Sequence, residues 1–166
     1  MAFTEILPGI HYVGVNDRTT TRFESLWSLP YGVSYNSYLV IDEKVALIDT
    51  VSFGEQFIDN IRAILKDRPI DYLVVDHMEP DHSSSIKTLR LLYPEMQIVG
   101  NAKTLQMLDG YYGIHTLTRE VKEGESISLG QKNLSFYMAP MVHWPEVMVT
   151  YCPEHKVLFS ADAFGT

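Results

Sequence analysis

The sequence predicts an α/β fold in which helices pack on the outside of mixed β-sheets. Three observations support this prediction: strand-like runs fill the first third of the chain, strands and helices alternate in the middle, and strands return at the end. A sheet must bury its apolar face against another layer, and the intervening helices can provide that layer. No repeat, low-complexity tract or linker interrupts the 166 residues. We therefore predict one unit over 1–166 without an internal domain boundary.

The first third of the chain carries short apolar and β-branched runs, which are typical of strands. Strands are predicted over Ile10–Val15, Val33–Ile41 and Lys44–Asp49. Asp42–Lys44 is the predicted turn that joins the last two strands into a hairpin. Apolar residues then recur at helical spacing, which predicts an amphipathic helix over 53–67.

Strands and helices alternate in the middle of the chain. Tyr72–Val75 is a short apolar run of the kind that is buried on both faces of a sheet, and Met96–Val99 is a further strand. One helix is predicted after Ser83–Ser85, and another begins at Asn101 and ends near Gly110. The pattern then returns to strands, predicted over 114–118, 126–129, 134–139, 147–152 and 156–160.

Composition and charge argue against several classes of function. The chain has 13 Lys and Arg against 21 Asp and Glu, so its formal net charge is −8. This balance argues against nucleic-acid binding, which needs clustered cations. No apolar run approaches the roughly 18 residues of a membrane span, no secretory signal is visible, and the single Cys152 suits a reducing compartment. We therefore expect a cytoplasmic protein that binds neither nucleic acid nor membranes.

Four potential metal ligands lie close together in the sequence. His77, Glu79, Asp81 and His82 fall within six residues, directly after a predicted buried strand. The proline between them pushes Glu79 towards extended backbone, so we predict a loop rather than a helix. Around a cation such a loop would turn all four side chains inward, whereas without one these groups would be costly to desolvate. The alternative is a polar loop whose charged side chains face water.

Two distant residues favour the metal site over the solvated loop. His143 lies just beyond one predicted strand, and Asp162 lies just beyond another. Binding residues gather on loops at strand ends, where a rigid sheet holds them. Three such loops, each with a histidine or an acid, predict a metal centre. No glycine-rich phosphate loop is present, so we expect no cofactor-binding residues other than metal ligands in this chain.

These motifs resemble the metallo-β-lactamase superfamily, and within it the flavodiiron proteins (A-type flavoproteins). Hydrolases of the superfamily usually carry His-x-His-x-Asp-His, whereas Glu79 replaces the second histidine here, as in the flavodiiron branch. One departure is Glu146 followed by Val147, where the branch commonly has Asp-Ser. The similar segments cover nearly the whole chain: Tyr35–Tyr38, Ala46–Val51, His77–Ser83, His143–Pro145 and Asp162–Gly165.

The resemblance implies a metallo-β-lactamase-like αββα sandwich, of which this chain is the N-terminal portion. It also implies two iron ions, and no catalytic residue beyond their ligands. A carboxylate at Glu79 favours a hard ion in a higher oxidation state over zinc. The implied ligands are His77, Glu79, His143 and Asp162 for one iron, and Asp81, His82 and Asp162 for the other, with Asp162 as the bridge.

The implied activity is reduction of dioxygen to water, of nitric oxide to nitrous oxide, or both, with electrons that arrive through FMN. The flavodoxin-like domain that carries FMN and the family's last histidine ligand are absent from this chain. We expect a C-terminal portion or a second chain to supply both and to cover an exposed inner sheet face. The resemblance also implies a head-to-tail dimer or tetramer and a rubredoxin-like electron donor.

Two alternatives stay open at this point. A metal-dependent hydrolase of the same fold, for example a thioesterase or lactonase, would hold zinc and cleave esters. A non-catalytic diiron module would bind or sense oxygen reversibly without turnover. The preference between dioxygen and nitric oxide is also open, because it depends on groups around the ligands.

Overall fold

In the part of the chain that the structure describes, the fold is built from many short strands and four helices. The computed structural model describes residues 4–23, 25–52 and 54–164, and every element named here belongs to these ranges. The helices are α1 (Gly54–Leu65), α2 (Pro80–Ser83), α3 (Ile86–Leu92) and α4 (Ala102–Tyr112). The strands are β1 (Thr4–Leu7), β2 (Ile10–Tyr12), β3 (Val15–Asp17), β4 (Arg22–Phe23), β5 (Trp27–Ser28), β6 (Val33–Tyr35), β7 (Tyr38–Ile41), β8 (Val45–Ile48), β9 (Tyr72–Val74), β10 (Gln97–Gly100), β11 (Thr118–Glu120), β12 (Ser126–Ser128), β13 (Asn133–Met138), β14 (Met148–Cys152) and β15 (Val157–Phe159).

A seven-stranded mixed sheet lies at the centre, in the order β1-β2-β7-β8-β9-β10-β11. Its first four strands are antiparallel, and β8 to β11 run parallel to one another. Helices occupy each parallel connection, as crossovers between parallel strands require. A second sheet is antiparallel, in the order β12-β13-β14-β15, and two small hairpin-like pairs, β3 with β6 and β4 with β5, complete the structure.

Successive side chains of the central strands enter two different cores, because a strand points alternate residues to opposite faces. In β8, Val45 and Leu47 belong to the core on the helix side. Ala46 and Ile48 belong to the core that faces the four-stranded sheet. The continuous apolar run of β8 thus fits a strand buried on both faces, and the fold has three layers: helices, central sheet and second sheet.

The helices cover the outer side of the central sheet. Phe57, Ile61 and Leu65 of α1 are buried in the helix-side core, at the spacing that predicted this helix. Helix α4 begins where Asn101 accepts hydrogen bonds from the backbone N–H groups of Lys103 and Thr104, a standard N-cap. Among the helices of the described ranges, none combines the length and apolar character needed to cross a bilayer.

The predicted α/β class with mixed sheets and outer helices is confirmed, but the expected exposed inner sheet face is wrong for the described residues. Leu134, Phe136 and Phe159 of the four-stranded sheet are buried against the central sheet. The two sheets therefore cover each other. The outer face of the four-stranded sheet is more open, with Tyr137 42% exposed.

The structure differs locally from the sequence prediction at the hairpin β4–β5 and at β11. The hairpin β4–β5 was not predicted, because its strands are two residues long. The strand predicted over 114–118 lies instead at Thr118–Glu120, since Leu117 has a positive φ of 51° and extended pairing with β10 begins only after it. Phe53, the predicted first residue of α1, and Gly165 of the last motif lie outside the described residues.

The predicted loop over 77–82 is partly wrong, because Pro80–Ser83 forms the single helical turn α2. Proline suits the first position of a helix, where its missing N–H is not needed. Glu79 keeps the extended backbone expected before a proline, with φ −56° and ψ 143°. The turn therefore starts one residue after Glu79 and carries Asp81 and His82.

Glu154 ties the β14–β15 turn to β13 and should make stability depend on pH. Its carboxylate accepts hydrogen bonds from the Asn133 backbone N–H (3.0 Å) and side-chain Nδ2 (2.7 Å), which lower the pKa of Glu154 to about 2. A pKa that is lower in the folded than in the unfolded state means that the ionised group stabilises the fold above pH 4.5 or so. This contribution disappears as the pH falls towards 2.

We expect Glu154→Gln to lower the thermal midpoint at neutral pH by about 2 °C. The effect is small because an exposed carboxylate contributes roughly 1 kcal/mol or less. Between pH 5 and 2.5, the midpoint of the variant should fall less steeply than that of the wild type. Circular dichroism melts test this, with the exposed Glu95→Gln as control; equal slopes for Glu154→Gln and the wild type would contradict the prediction.

Candidate metal centre

All six residues predicted as metal ligands meet at one edge of the fold, where loops from both sheets converge. The loop after β9 and helix α2 reach this edge from the central sheet. The β13–β14 loop and the segment after β15 reach it from the four-stranded sheet. These four segments carry His77 and Glu79, then Asp81 and His82, then His143, and finally Asp162.

The first group of donors consists of His77, Glu79, His143 and Asp162, whose ligand atoms all lie within 4.8 Å of one another. Glu79 Oε2 is 3.1 Å from both His77 Nε2 and His143 Nε2. Asp162 Oδ2 is 3.5 Å from His77 Nε2 and 3.2 Å from His143 Nε2. Two imidazoles and two carboxylates thus surround one point.

The second group consists of Asp81, His82 and Asp162. Asp162 Oδ1 is 2.5 Å from His82 Nε2, and Asp81 Oδ2 is 3.7 Å from the same nitrogen. The two oxygens of Asp162 therefore face different groups, Oδ2 the first and Oδ1 the second. This is the placement that a carboxylate needs to bridge two cations.

The protonation of the site reflects close contacts between acids and histidines. Burial alone would lower the pKa of His82, but the carboxylates of Asp162 and Asp49 outweigh it and raise that pKa to about 11. Burial would raise the pKa of Asp162, yet the hydrogen bond and positive charge of His82 hold it at about 2. For Asp81, burial is the main cause of a raised pKa. Charged groups of both signs thus lie in contact at this edge.

Asp49, at the end of β8, holds the ligand loops in place. Its Oδ1 accepts hydrogen bonds from the backbone N–H groups of Asp76 (2.8 Å) and His77 (3.4 Å). Its Oδ2 is 3.4 Å from His82 Nδ1. The next residue, Thr50, donates from its backbone N–H and its hydroxyl to the His82 carbonyl, both at 2.8 Å. The residues that follow β8 thereby hold both the loop after β9, which carries His77, and helix α2, which carries His82.

Asp76 connects the two sheets directly behind the ligands. Its side-chain Oδ1 accepts a hydrogen bond from the Thr150 hydroxyl at 2.7 Å, and its carbonyl accepts one from the Met148 N–H at 3.0 Å. Burial, followed by the negative charge of Asp49, raises the pKa of Asp76 well above its usual range. Asp76 thus holds the loop after β9 against β14.

Glu146 is the second buried carboxylate behind the ligands. Its Oε1 lies 2.8 Å from His77 Nδ1 and accepts a hydrogen bond from the Met78 N–H at 2.9 Å. Burial would raise the pKa of Glu146, but these two hydrogen bonds outweigh it and lower the pKa. The Trp144 ring also packs edge-on against His77, with centroids 5.3 Å apart.

Sequence reasoning did not identify Asp49 or Glu146 as part of the centre. Asp49 had a usable signal, because it follows the apolar run of β8 as the metal ligands follow theirs. Glu146 had none except its departure from the Asp-Ser pattern. Its contact with His77 joins residues 69 positions apart, which no local pattern reveals.

The donors present fit two cations. The six side chains offer three carboxylates and three imidazoles and no thiolate, a set that suits hard or borderline divalent ions. Asp81 Oδ1 is buried and has no hydrogen-bond partner among the described residues. Such an atom is costly unless something else satisfies it, and a cation in the second group would do so. Which ion binds, and through which of the six residues, stays a prediction.

A pocket of about 350 Å³ opens onto these donors. Its apolar lining comes from the hairpin β4–β5, the residue after it and the start of β6, with Phe23, Trp27, Leu29 and Val33. Its lining also includes five of the six donors, all except the fully buried His77. The pocket is therefore large enough for a small substrate and brings it directly to the polar cluster.

Comparison with known proteins identifies similar sequences over almost the entire chain. Residues 33–166 match the family model described as "ODP family beta lactamase". The nitric oxide reductase of Moorella thermoacetica is 38% identical over 164 residues, which cover 96% of this chain and 41% of that protein. The rubredoxin-oxygen oxidoreductase of Megalodesulfovibrio gigas is 35% identical over 168 residues, 99% of this chain and 42% of that protein.

Solved structures show the same architecture. The flavodiiron protein from Giardia intestinalis superposes with a TM-score of 0.92 at 34% identity, over 99% of this chain and 41% of that one. The rubredoxin oxygen:oxidoreductase from Desulfovibrio gigas superposes with a TM-score of 0.89 at 33% identity, over 94% of this chain and 40% of that one. The chain thus spans about two fifths of the length of the curated relatives named above.

Proposed function

The chain belongs to the ODP beta-lactamase family and is related to the flavodiiron proteins, and from this premise we propose that it holds the diiron centre of an oxidoreductase. The proposed reaction is reduction of nitric oxide to nitrous oxide, of dioxygen to water, or both. Relatives named nitric oxide reductase and rubredoxin-oxygen oxidoreductase support this choice of substrates. We propose His77, Glu79, His143 and Asp162 as ligands of one iron, and Asp81, His82 and Asp162 as ligands of the other.

The observation that carries the proposal is the position of Asp162 between two donor groups, combined with a carboxylate at Glu79. A bridging carboxylate needs one oxygen towards each ion, and the two oxygens of Asp162 face different groups. With Asp81, the three carboxylates would balance three of the four positive charges of two ferrous ions. Zinc, which is redox-inert and often bound by imidazole and thiolate, gains less from such an acidic set.

The side chains of this centre have distinct tasks in the proposed reaction. When bound, two ferrous ions would supply one electron each to a small gas molecule. His77, fully buried, would anchor the inner side of the site, while the 57% exposed imidazole of His143 borders the pocket. Phe23 and Trp27 also line the pocket, and their apolar rings would limit the access of water to the reacting molecule.

We further propose that electrons reach the centre from FMN, held by another domain or chain, and from a rubredoxin-like donor upstream. The family resemblance and the names of the relatives support this route. We also propose a head-to-tail dimer or tetramer, which would bring the FMN of one copy to the metals of another. A single cysteine suits a reducing compartment, and we place the protein in the cytoplasm.

Anaerobic iron loading followed by gas exposure tests the proposed function. The purified protein is loaded with Fe²⁺, its metal content is measured by elemental analysis, and nitric oxide or dioxygen is then added. We expect two iron ions per chain. Since two nitric oxide molecules, two electrons and two protons give one nitrous oxide and one water, we expect about one nitrous oxide per pair of ferrous ions. Headspace gas chromatography and an oxygen electrode measure the products and the consumption.

Each alternative function predicts a different outcome of the same experiment. Zinc without iron, together with ester hydrolysis, would favour a hydrolase of this fold. A reversible optical change without gas consumption would favour an oxygen-binding or oxygen-sensing module. Glu154→Gln is the matched control, because it removes a carboxylate remote from the centre and should leave iron content and gas consumption unchanged. A folded protein that neither retains iron nor consumes gas would contradict the proposal.

A further inference from the structure

Glu146 is a fully buried carboxylate that the proposed ligand set does not use. Its Oε1 contacts two groups, the imidazole of His77 and the N–H of Met78. Its Oε2 is buried and has no hydrogen-bond partner among the described residues. A buried charge is costly unless paired, and a polar but uncharged side chain would cost less to bury. A charged side chain in contact with His77 therefore indicates a specific role for this carboxylate.

The hydrogen bonds to Glu146 define which nitrogen of His77 is available to a metal. The Met78 N–H already points at Oε1, so this oxygen is an acceptor, and His77 Nδ1 must donate its proton to it. A neutral imidazole carries only one N–H, so its other nitrogen, Nε2, then presents a lone pair. His77 Nε2 is the atom that faces Glu79 at 3.1 Å and Asp162 at 3.5 Å.

We propose that Glu146 is a positioning residue for the first donor group: it fixes the tautomer and the ring orientation of His77, and its charge strengthens that ligand. Carboxylates behind ligating histidines act in this way in other metal sites. The inference rests on the proposed metal centre but not on its gas chemistry.

The three histidines of the centre differ in whether a carboxylate accepts a hydrogen bond from the nitrogen that faces away from the donor group. His77 has a carboxylate oxygen 2.8 Å from Nδ1. His82 Nδ1 lies 3.4 Å from Asp49 Oδ2 but has no hydrogen-bond partner among the described residues. The His143 side chain is largely exposed, so solvent can reach it. Removal of the Glu146 carboxylate should therefore weaken the first group, which contains His77, and leave the second group nearly unchanged.

Three substitutions separate charge, hydrogen bonding and volume at this position. Glu146→Met removes the charge and the acceptor but fills a similar space. Glu146→Gln keeps an acceptor for His77 and Met78 and removes only the charge. Glu146→Asp keeps the carboxylate on a shorter side chain. Because Glu146→Asp retains the charge and the hydrogen-bond acceptor, it should retain much of the metal affinity that Glu146→Met loses.

The first measurement is the affinity for Fe²⁺, determined anaerobically by competition with a chromogenic chelator. We expect Glu146→Met to weaken binding of one of the two ions by about 10- to 100-fold. The Fe²⁺ affinity of Glu146→Gln should lie between those of Glu146→Met and the wild type, and the affinity of Glu146→Asp should be closest to that of the wild type. The control is Asn60→Ala, which removes buried hydrogen bonds to the Val13 and Gly14 carbonyls away from the donors. It should lower thermal stability without changing the Fe²⁺ affinity.

The second measurement detects the hydrogen bond itself by NMR of the purified protein, labelled with ¹⁵N-histidine and loaded with diamagnetic Zn²⁺. We expect a downfield, slowly exchanging His77 Nδ1 proton in the wild type and in Glu146→Asp. In Glu146→Met this proton should shift upfield, because the acceptor is missing. Assignment uses loss of the signal in His77→Gln.

The outcomes distinguish this inference from the proposed function. A wild type that binds Fe²⁺ but reduces no gas contradicts the function, while the expected order of affinities would still support Glu146 as a positioning residue. If folded Glu146→Met binds both ions within about twofold of the wild type, the inference is wrong. A wild-type His77 Nδ1 proton that is not hydrogen-bonded would equally overturn it.

Discussion

Asp162→Ala should remove most of the iron from the centre, with at least one of the two ions bound more than about 100-fold more weakly. The reason is that Asp162 is the only residue shared by the two donor groups found among the described residues. Its loss removes one oxygen from each group and leaves His82 Nε2 without its contact at 2.5 Å. Anaerobic Fe²⁺ titration with elemental analysis measures the effect.

Two further variants make the Asp162 result interpretable. Asp162→Asn preserves the shape and one oxygen but not the charge, so it should retain more iron than Asp162→Ala. Asp109→Ala removes an exposed aspartate 3.4 Å from His115, a comparable acid–histidine contact that belongs to neither donor group. It should bind iron like the wild type. Two tightly bound ions in folded Asp162→Ala would exclude a bridging role.

Phe136→Ala should destabilise the protein by about 3–5 kcal/mol, the usual cost of removing a large aromatic side chain from a core. Phe136 is fully buried in β13, between the four-stranded and the central sheet. Its loss leaves a cavity that the facing sheets cannot fill without moving apart. Urea unfolding measures the free energy, and the thermal midpoint should fall by about 10 °C.

The adjacent residue provides a matched control for Phe136. Tyr137 lies on the opposite face of the same strand and is 42% exposed. Tyr137→Ala also removes an aromatic ring, but from a partly solvated surface, and should cost well under half as much free energy. Equal losses for the two variants would contradict the assignment of the intersheet core to the inner face of β13.

The sequence allowed the fold class to be predicted because its central strands have a distinctive pattern. The run Val45–Ile48 is apolar at every position, as a strand covered on both faces must be, and the structure places its residues alternately in two cores. The helix α1 was predicted from local signals, chiefly the helical spacing of its apolar residues. By contrast, β11 could not be placed correctly, since its position depends on pairing with β10, which is distant in sequence.

The candidate site was predictable to the extent that its residues form local motifs. His77 to His82 lie in one segment, and the positions of His143 and Asp162 after strands suggested where they would meet. The supporting contacts of Asp49 and Glu146 were not predictable in this way. They depend on side chains from different layers that approach each other only in the folded protein.

The convergence of loops from both sheets has a consequence for folding. His77, Glu79, Asp81 and His82 reach the centre from the seven-stranded sheet, whereas His143 and Asp162 reach it from the four-stranded sheet. A cation held by this set would cross-link the two layers at their shared edge. An unfolded chain has no comparable array of donors, so the free energy of metal binding would add to the free energy of unfolding through thermodynamic linkage. A bound cation would thus stabilise the packing of the two sheets against each other.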